Sequence, residues 1–219
     1  MGIIGVVAAL TLPNLNSSTG DKEKVAKVKK IYSNLEDAYG RATAVYGPFD
    51  EWFKNDTTDE LKNKRFGERM TEFMKVSKSC GTGDGCFSSN PLLDVDGSTV
   101  DANYLTELKS RKAQMYILAD GTALAFFNYV FNEIKVDIDG PNKGRNQIGN
   151  DIFDFTIRFE DYGGQKALQL TPSANPDYWT GNFTIGYMYR YSTAWVIKNE
   201  NLDYLKCSDL NWETKTSCK

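Results

Sequence analysis

Residues 2–46 read GIIGVVAALTLPNLNSSTGDKEKVAKVKKIYSNLEDAYGRATAVY, and their change of character at Asn16 decides the fold. After Asn16, Val25, Val28, Tyr32, Leu35, Tyr39, Ala42 and Tyr46 recur at alternating steps of three and four. That spacing keeps one face of an α-helix apolar. Ile31, Ala38 and Val45 widen the stripe, while Lys22, Lys24, Lys27, Lys29, Lys30, Glu36, Asp37 and Arg41 fall mostly on the other side. The expectation is a helix that lies on a core and holds its charges in water.

The preceding residues 2–15 carry no charge, and only Thr11 and Asn14 are clearly polar. Such a stub requires burial. As a helix, its fourteen residues rise only about 21 Å, against about 30 Å for the hydrocarbon core of a bilayer. It has no basic flank and no small-residue cleavage site of a secretory signal. Pro13 removes a helical donor, and Ser17, Ser18, Thr19 and Gly20 with Asp21 and Glu23 offer a second start. A kink or short unwound stretch is therefore expected between residues 13 and 20.

The run GIIGVVAALTLPNL followed by the lysine-rich KKIYSNLEDAYGRA resembles the N-terminal helix of type IV pilin-like proteins and type II secretion pseudopilins. In that family a proline stands where Pro13 stands; the first half of the helix anchors in the inner membrane and then forms the filament core, and the second half packs on a globular head. The resemblance implies a membrane and filament-core role for Ile3, Ile4, Val6, Val7, Leu10, Leu12 and Pro13. It also implies other pilin-like subunits, the inner membrane and the secretion or pilus assembly machinery as partners. The implied location is a single-pass inner-membrane protein with a periplasmic or extracellular head, ending in a filament at the cell surface. STAWVIKNENLDYLKC, residues 192–207, resembles pilin-like C-termini, where a disulfide-closed loop often lies against the sheet. The family's basic leader, its Gly-Phe junction and its early Glu are absent from these residues, and a mis-assigned or truncated start at Met1 is the expected reason.

The 219 residues suit one domain of ordinary size plus a stalk. The expected fold is α+β, with a stalk over residues 1–46 packed on the antiparallel sheet of a head over residues 47–219, and an extra helix between stalk and sheet. A formal charge of −3 gives no basic footprint for nucleic acid, and the absence of histidine removes Ser-His-Asp and Cys-His catalysis and the usual neutral-pH proton shuttle. No enzyme is expected. Four cysteines, Cys80, Cys86, Cys207 and Cys218, allow three connectivities, of which two local pairs are the economical one. Disulfides would mean an oxidising compartment, whereas the five lysines within residues 22–30 alone point to the cytoplasm by the positive-inside rule.

Further along, Gly47 and Pro48 with FDEWF end the first helix, and Thr57-Thr58-Asp59-Glu60 caps a second. Its apolar positions Leu61, Phe66, Met70, Phe73 and Met74 carry it to about Lys78, with Gly67 weakening the middle. Residues 90–101 read as irregular chain with turns, and residues 104–111 fit a helical turn or a strand. The Gly-rich GTGDG between Cys80 and Cys86 lacks the Lys and Ser or Thr of a phosphate loop. From Ala113 the period becomes two: residues 115–118 and 122–129 flank Asp120-Gly121, the strongest hairpin signal in the chain. Residues 133–138, then Phe153, Phe155, Ile157 and Phe159, and residues 167–170 after Gly163-Gly164 supply further strands. One face of this sheet is expected on the stalk and the other partly wet. Phe183, Ile185, Tyr187, Tyr189 and Tyr191 alternate as the inward face of another strand.

Asp137, Asp139, Asn142 and Asp151 set hard oxygen donors around flexible Gly-Pro-Asn chain, the kind of loop that suits calcium, although the spacing departs from an EF-hand. Asp94, Asp96 and Asp101 form a second such patch. Two functions follow: a filament subunit of a type IV pilus or type II secretion system, or a membrane-tethered extracytoplasmic module binding glycan or calcium.

Overall fold

The computed structural model describes residues 3–128, 132–162, 165–172 and 188–218, with side-chain surroundings for residues 19–128, 132–158 and 192–218. The stalk helix α1 (Ile3–Tyr46) is continuous over 44 residues. The expected unwinding between Pro13 and Gly20 is thus corrected: the chain absorbs the lost donor within the helix instead of ending it. From residue 25 onward the apolar stripe is as the spacing predicts, with Val28, Leu35, Ala38 and Ala42 fully buried and Tyr32, Tyr39 and Tyr46 packed at its edges. Val45 is the exception, 62% exposed on the outer side of the last turn.

After α1, a 3₁₀ turn (Phe49–Phe53) drives Phe49 and Trp52 under the helix end, and Trp52 Nε1 donates to Gly47 O at 2.9 Å. Helix α2 (Asp59–Thr71) starts one residue later than a Thr57–Glu60 capping box requires, because the Thr58 hydroxyl accepts from Leu61 N. Phe66 and Met70 face inward, whereas Leu61 lies exposed. Gly67, read from sequence as a weakness, is the point of closest packing: a Cβ there would meet the Tyr116 ring at 2.8 Å. The helix also stops short of Lys78. Residues Val76–Gly81 instead form β1, a largely exposed edge strand whose two register irregularities break the alternation by which a strand is read.

Two short strands, β2 (Leu92–Leu93) and β3 (Thr99–Asp101), pair where irregular chain was expected, and α3 (Tyr104–Ser110) resolves the ambiguous segment as a helix capped by Asn103. The main sheet continues with β4 (Gln114–Leu118), β5 (Ala123–Asn128), β6 (Asn132–Asp137), β7 (Ile152–Tyr162) and β8 (Gln165–Pro172). Among the described residues its order is β1-β4-β5-β6-β7-β8, every neighbour antiparallel. Helix α4 (Met188–Asn199) follows, so the expected strand ending at Tyr191 is helical from Met188. The earlier part of that aromatic row, residues 183–187, lies outside the described residues. A 3₁₀ turn (Asp203–Leu205) closes the fold.

Register aligns Tyr116, Leu124, Phe126, Ile134, Val136, Phe153 and Phe155 on one face. Phe126 meets Phe66 of α2 at 5.1 Å between centroids, and Phe155 stacks on Tyr32 of α1 at 5.6 Å. The expectation of a partly wet second face is overturned at its centre, where Met115, Ala123, Ala125 and Phe127 are fully buried. The Arg111 guanidinium behind α3 sits 5.6 Å from the Phe127 ring centre. Asn63, buried within α2, ties these layers: it donates to Arg111 O and Lys112 O and accepts from Asn128 N at 2.7 Å. The cysteines pair locally, Cys80 with Cys86 and Cys207 with Cys218. Two disulfides are the mark of an oxidising, extracytoplasmic compartment.

Candidate functional site

The stalk lysines do not simply face water, as the helical pattern suggests. Lys24 Nζ donates to Asn150 Oδ1 at 2.7 Å and to Asp151 Oδ1 at 3.1 Å. Lys27 Nζ donates to Asp139 Oδ1 at 3.0 Å, Lys30 Nζ to Asp120 Oδ2 at 2.7 Å, and Lys29 Nζ to Glu200. Asp21 closes the row by accepting from Lys206. These residues flank the apolar stripe, so the seam that buries Val25, Val28 and Ile31 carries a line of charge pairs along its edges. Their acceptors come from the β4–β5 hairpin, the β6–β7 connection and the segment after α4, elements that converge only in the folded head.

The pairs differ in strength. Asp151 is 1% exposed, and the Lys24–Asp151 pair is shielded from solvent on the carboxylate side. Lys29–Glu200 and Lys30–Asp120 are surface pairs of the kind that contributes about 0–1 kcal/mol. Burial pulls the Lys27 ammonium down, yet Asp139 and Glu23 outweigh it and hold its pKa above the ordinary lysine value. Burial pushes the Asp120 carboxyl up, but Lys30 and the Thr122 hydrogen bonds prevail and keep it below the ordinary carboxylate value.

The acidic loop is built around its own backbone as well. Asp151 Oδ2 accepts from Arg145 N at 2.5 Å and Gln147 N at 3.4 Å, and Gly144, at φ +73°, passes so close that a Cβ would meet this carboxyl at 2.8 Å. Asp137 Oδ1 accepts from Asp139 N and Gly140 N, an Asx turn at the end of β6. Its Oδ2 is buried without a partner. Burial, aided by Asp151 and Asp139, overcomes those two hydrogen bonds and pushes the Asp137 pKa up to about 7.

The four residues proposed from sequence for calcium therefore do not gather as a cage. Asp139 and Asp151 hold stalk lysines, Asn142 is exposed, and among the described residues no three acidic or cysteine side chains converge on a metal position. In the second patch, Asp94, Asp96 and Asp101 each accept from a backbone N–H one or two residues on, which makes them turn formers. Millimolar calcium is expected to leave the melting temperature unchanged, since binding at Asp137 and Asp139 would have to displace Lys27; a calcium-dependent rise abolished by Asp139→Ala would reverse this reading.

Comparison with protein-family models, curated proteins and solved structures finds no match. The geometry alone carries the reading. The described residues hold no helix long and apolar enough to cross a membrane. The side chains of Ile3, Ile4, Val6, Val7, Leu10, Leu12 and Pro13 lie outside the described surroundings, although their backbone is helical. Sequence reasoning found the lysines and the acidic loop separately but missed their pairing. The available signal was the coincidence of lysines along the stripe's flanks with acidic residues just beyond strand ends.

Proposed function

We infer that the chain is an assembly subunit of a filament of the type IV pilus or type II secretion pseudopilus kind. The supporting observation is α1 itself: one continuous helix whose residues 25–42 are built into the head and whose N-terminal residues 3–15 are apolar. At 1.5 Å per residue it is about 66 Å long, against about 40 Å for a compact head of this size. An apolar helical extension of this length has two economical ways to leave water, a bilayer and a bundle of like extensions. The disulfide-closed C-terminal segment anchors the other side of the stalk through Lys206 and Asp21, in keeping with a head that travels as one piece with its helix. The role is mechanical assembly, not catalysis.

Removal of residues 1–20 is expected to give a soluble, folded monomer, because the apolar stripe that joins stalk to head begins at Val25 and the Asp21–Lys206 pair beside it is retained. The full-length protein in its native host is expected in the membrane fraction and in sheared surface filaments. A truncated chain that fails to fold, or a full-length protein that stays monomeric and membrane-free in cells assembling such filaments, would overturn the assignment in favour of a tethered binding module.

A further inference from the structure

We propose that the cleft between α1, the end of α2 and the β4–β5 hairpin binds a small carboxylic acid with an apolar body, its carboxylate resting on Lys75. The proposal is independent of the filament reading, since it concerns only the flank of the stalk–head seam. The cleft encloses about 380 Å³, within the range of about 300–1,000 Å³ that small-molecule sites occupy. Phe73, Met74, Leu118 and Ala119 give it an apolar lining. Contacts from the stalk bound it along α1. Lys30 Nζ donates to Asp120 Oδ2 at 2.7 Å, and about three turns further on the Arg41 guanidinium lies 4.7 Å from the Phe73 ring centre.

Charge selects the ligand. The lining holds Lys30, Asp37, Lys75 and Asp120, of which Lys30 is paired with Asp120, and Asp37 with Arg41 at 3.5 Å. Lys75 is left over: it is exposed and, among the described residues, has no ion pair. Its carbonyl accepts from Ala119 N at 2.8 Å, which fixes the backbone beneath that ammonium against the hairpin. A cationic ligand would be repelled by the uncompensated ammonium, and a dianion such as a phosphate ester by Asp37 and Asp120. A single carboxylate on an apolar body suits both the lysine and the lining. Asn34, on the α1 wall, adds an amide donor for the same group.

The test is protection of Lys75 from acetylation in the full-length protein, read by peptide mapping with Lys78 as the internal control. 3-Phenylpropionate is expected to slow acetylation of Lys75 in a saturable way, by at least about threefold, and to leave Lys78 unchanged. 3-Phenylpropanamide, which has the same body and no charge, is expected to protect Lys75 far less. Asn34→Trp and Ala119→Trp each fill the cleft from one wall and are expected to abolish protection; wild-type melting of either variant shows that the fold is kept. Equal slowing at Lys75 and Lys78, equal protection by acid and amide, or protection that survives in a folded filled variant would overturn the proposal. N-acetyl-Gly-Gly-Phe carries the same carboxylate at the end of a peptide. If it protects better than 3-phenylpropionate, the occupant is a peptide C-terminus and the small-acid assignment is wrong.

Discussion

Leu35→Ala is expected to destabilise the protein by about 2–5 kcal/mol, read as a shift of the denaturant midpoint at unchanged slope. Leu35 is fully buried on the stalk stripe, next in line to Tyr32, which stacks on Phe155 of the sheet. Truncation there removes apolar transfer energy and leaves a cavity that a rigid helix on a sheet cannot close by collapse. Because it lies at the stalk–head seam, the substitution also reports whether α1 and the head unfold together. A cost below about 0.5 kcal/mol would mean that the seam is not a core at all.

Asp137→Asn is expected to act in the opposite direction, and only above about pH 4. The folded state holds the Asp137 proton up to about pH 7, whereas the unfolded chain releases it near the ordinary carboxylate value. Below about pH 4 both states are protonated and the group has no effect. Between about pH 4 and pH 7 the unfolded state alone loses its proton, so wild-type stability falls as pH rises, by up to roughly 4 kcal/mol in all at about 1.4 kcal/mol per pH unit. Above pH 7 that loss is complete. Asn keeps the acceptor for Asp139 N and Gly140 N and carries no charge, so the variant is expected to exceed wild type at pH 8 and to flatten the decline. A variant less stable than wild type at pH 8 would show that the charged carboxylate has a favourable partner there, and a bound cation would be the first to look for.

How far the residues alone revealed this protein depends on the range of the interaction being read. The stalk was legible because its apolar period is uninterrupted from Val25 to Ala42, and the β4–β5 hairpin because Asp120-Gly121 sits between two alternating runs. Thr58 announced its own helix. Strand β1 was missed because Phe73 and Met74 prolong the helical spacing of α2 up to its first residue, and an exposed edge strand has no buried face to imprint alternation on its sequence. The N-terminal part of α4 was misread for the reverse reason, since Tyr189 and Tyr191 continue an alternation that the helix does not use. In the candidate site, each partner was visible and no pairing was. Lys24 and Asp151 are 127 positions apart, and nothing in local spacing can say that a hard-oxygen loop suited to calcium will receive an ammonium group instead.

The line of pairs along α1 also sets the order of events at birth. Asp21 is bonded to Lys206 across 185 positions and Lys29 to Glu200 across 171. A ribosome releases the stalk first and its last clamps only when nearly the whole chain is made. Until then the apolar seam from Val25 to Ala42 has no complete cover, and the growing chain is exposed to association with any other apolar surface in reach. In the assembly role proposed above, an early membrane berth for the N-terminal helix would keep that seam apart from its neighbours while the head is completed, and that berth would then double as a chaperone for the chain's own folding.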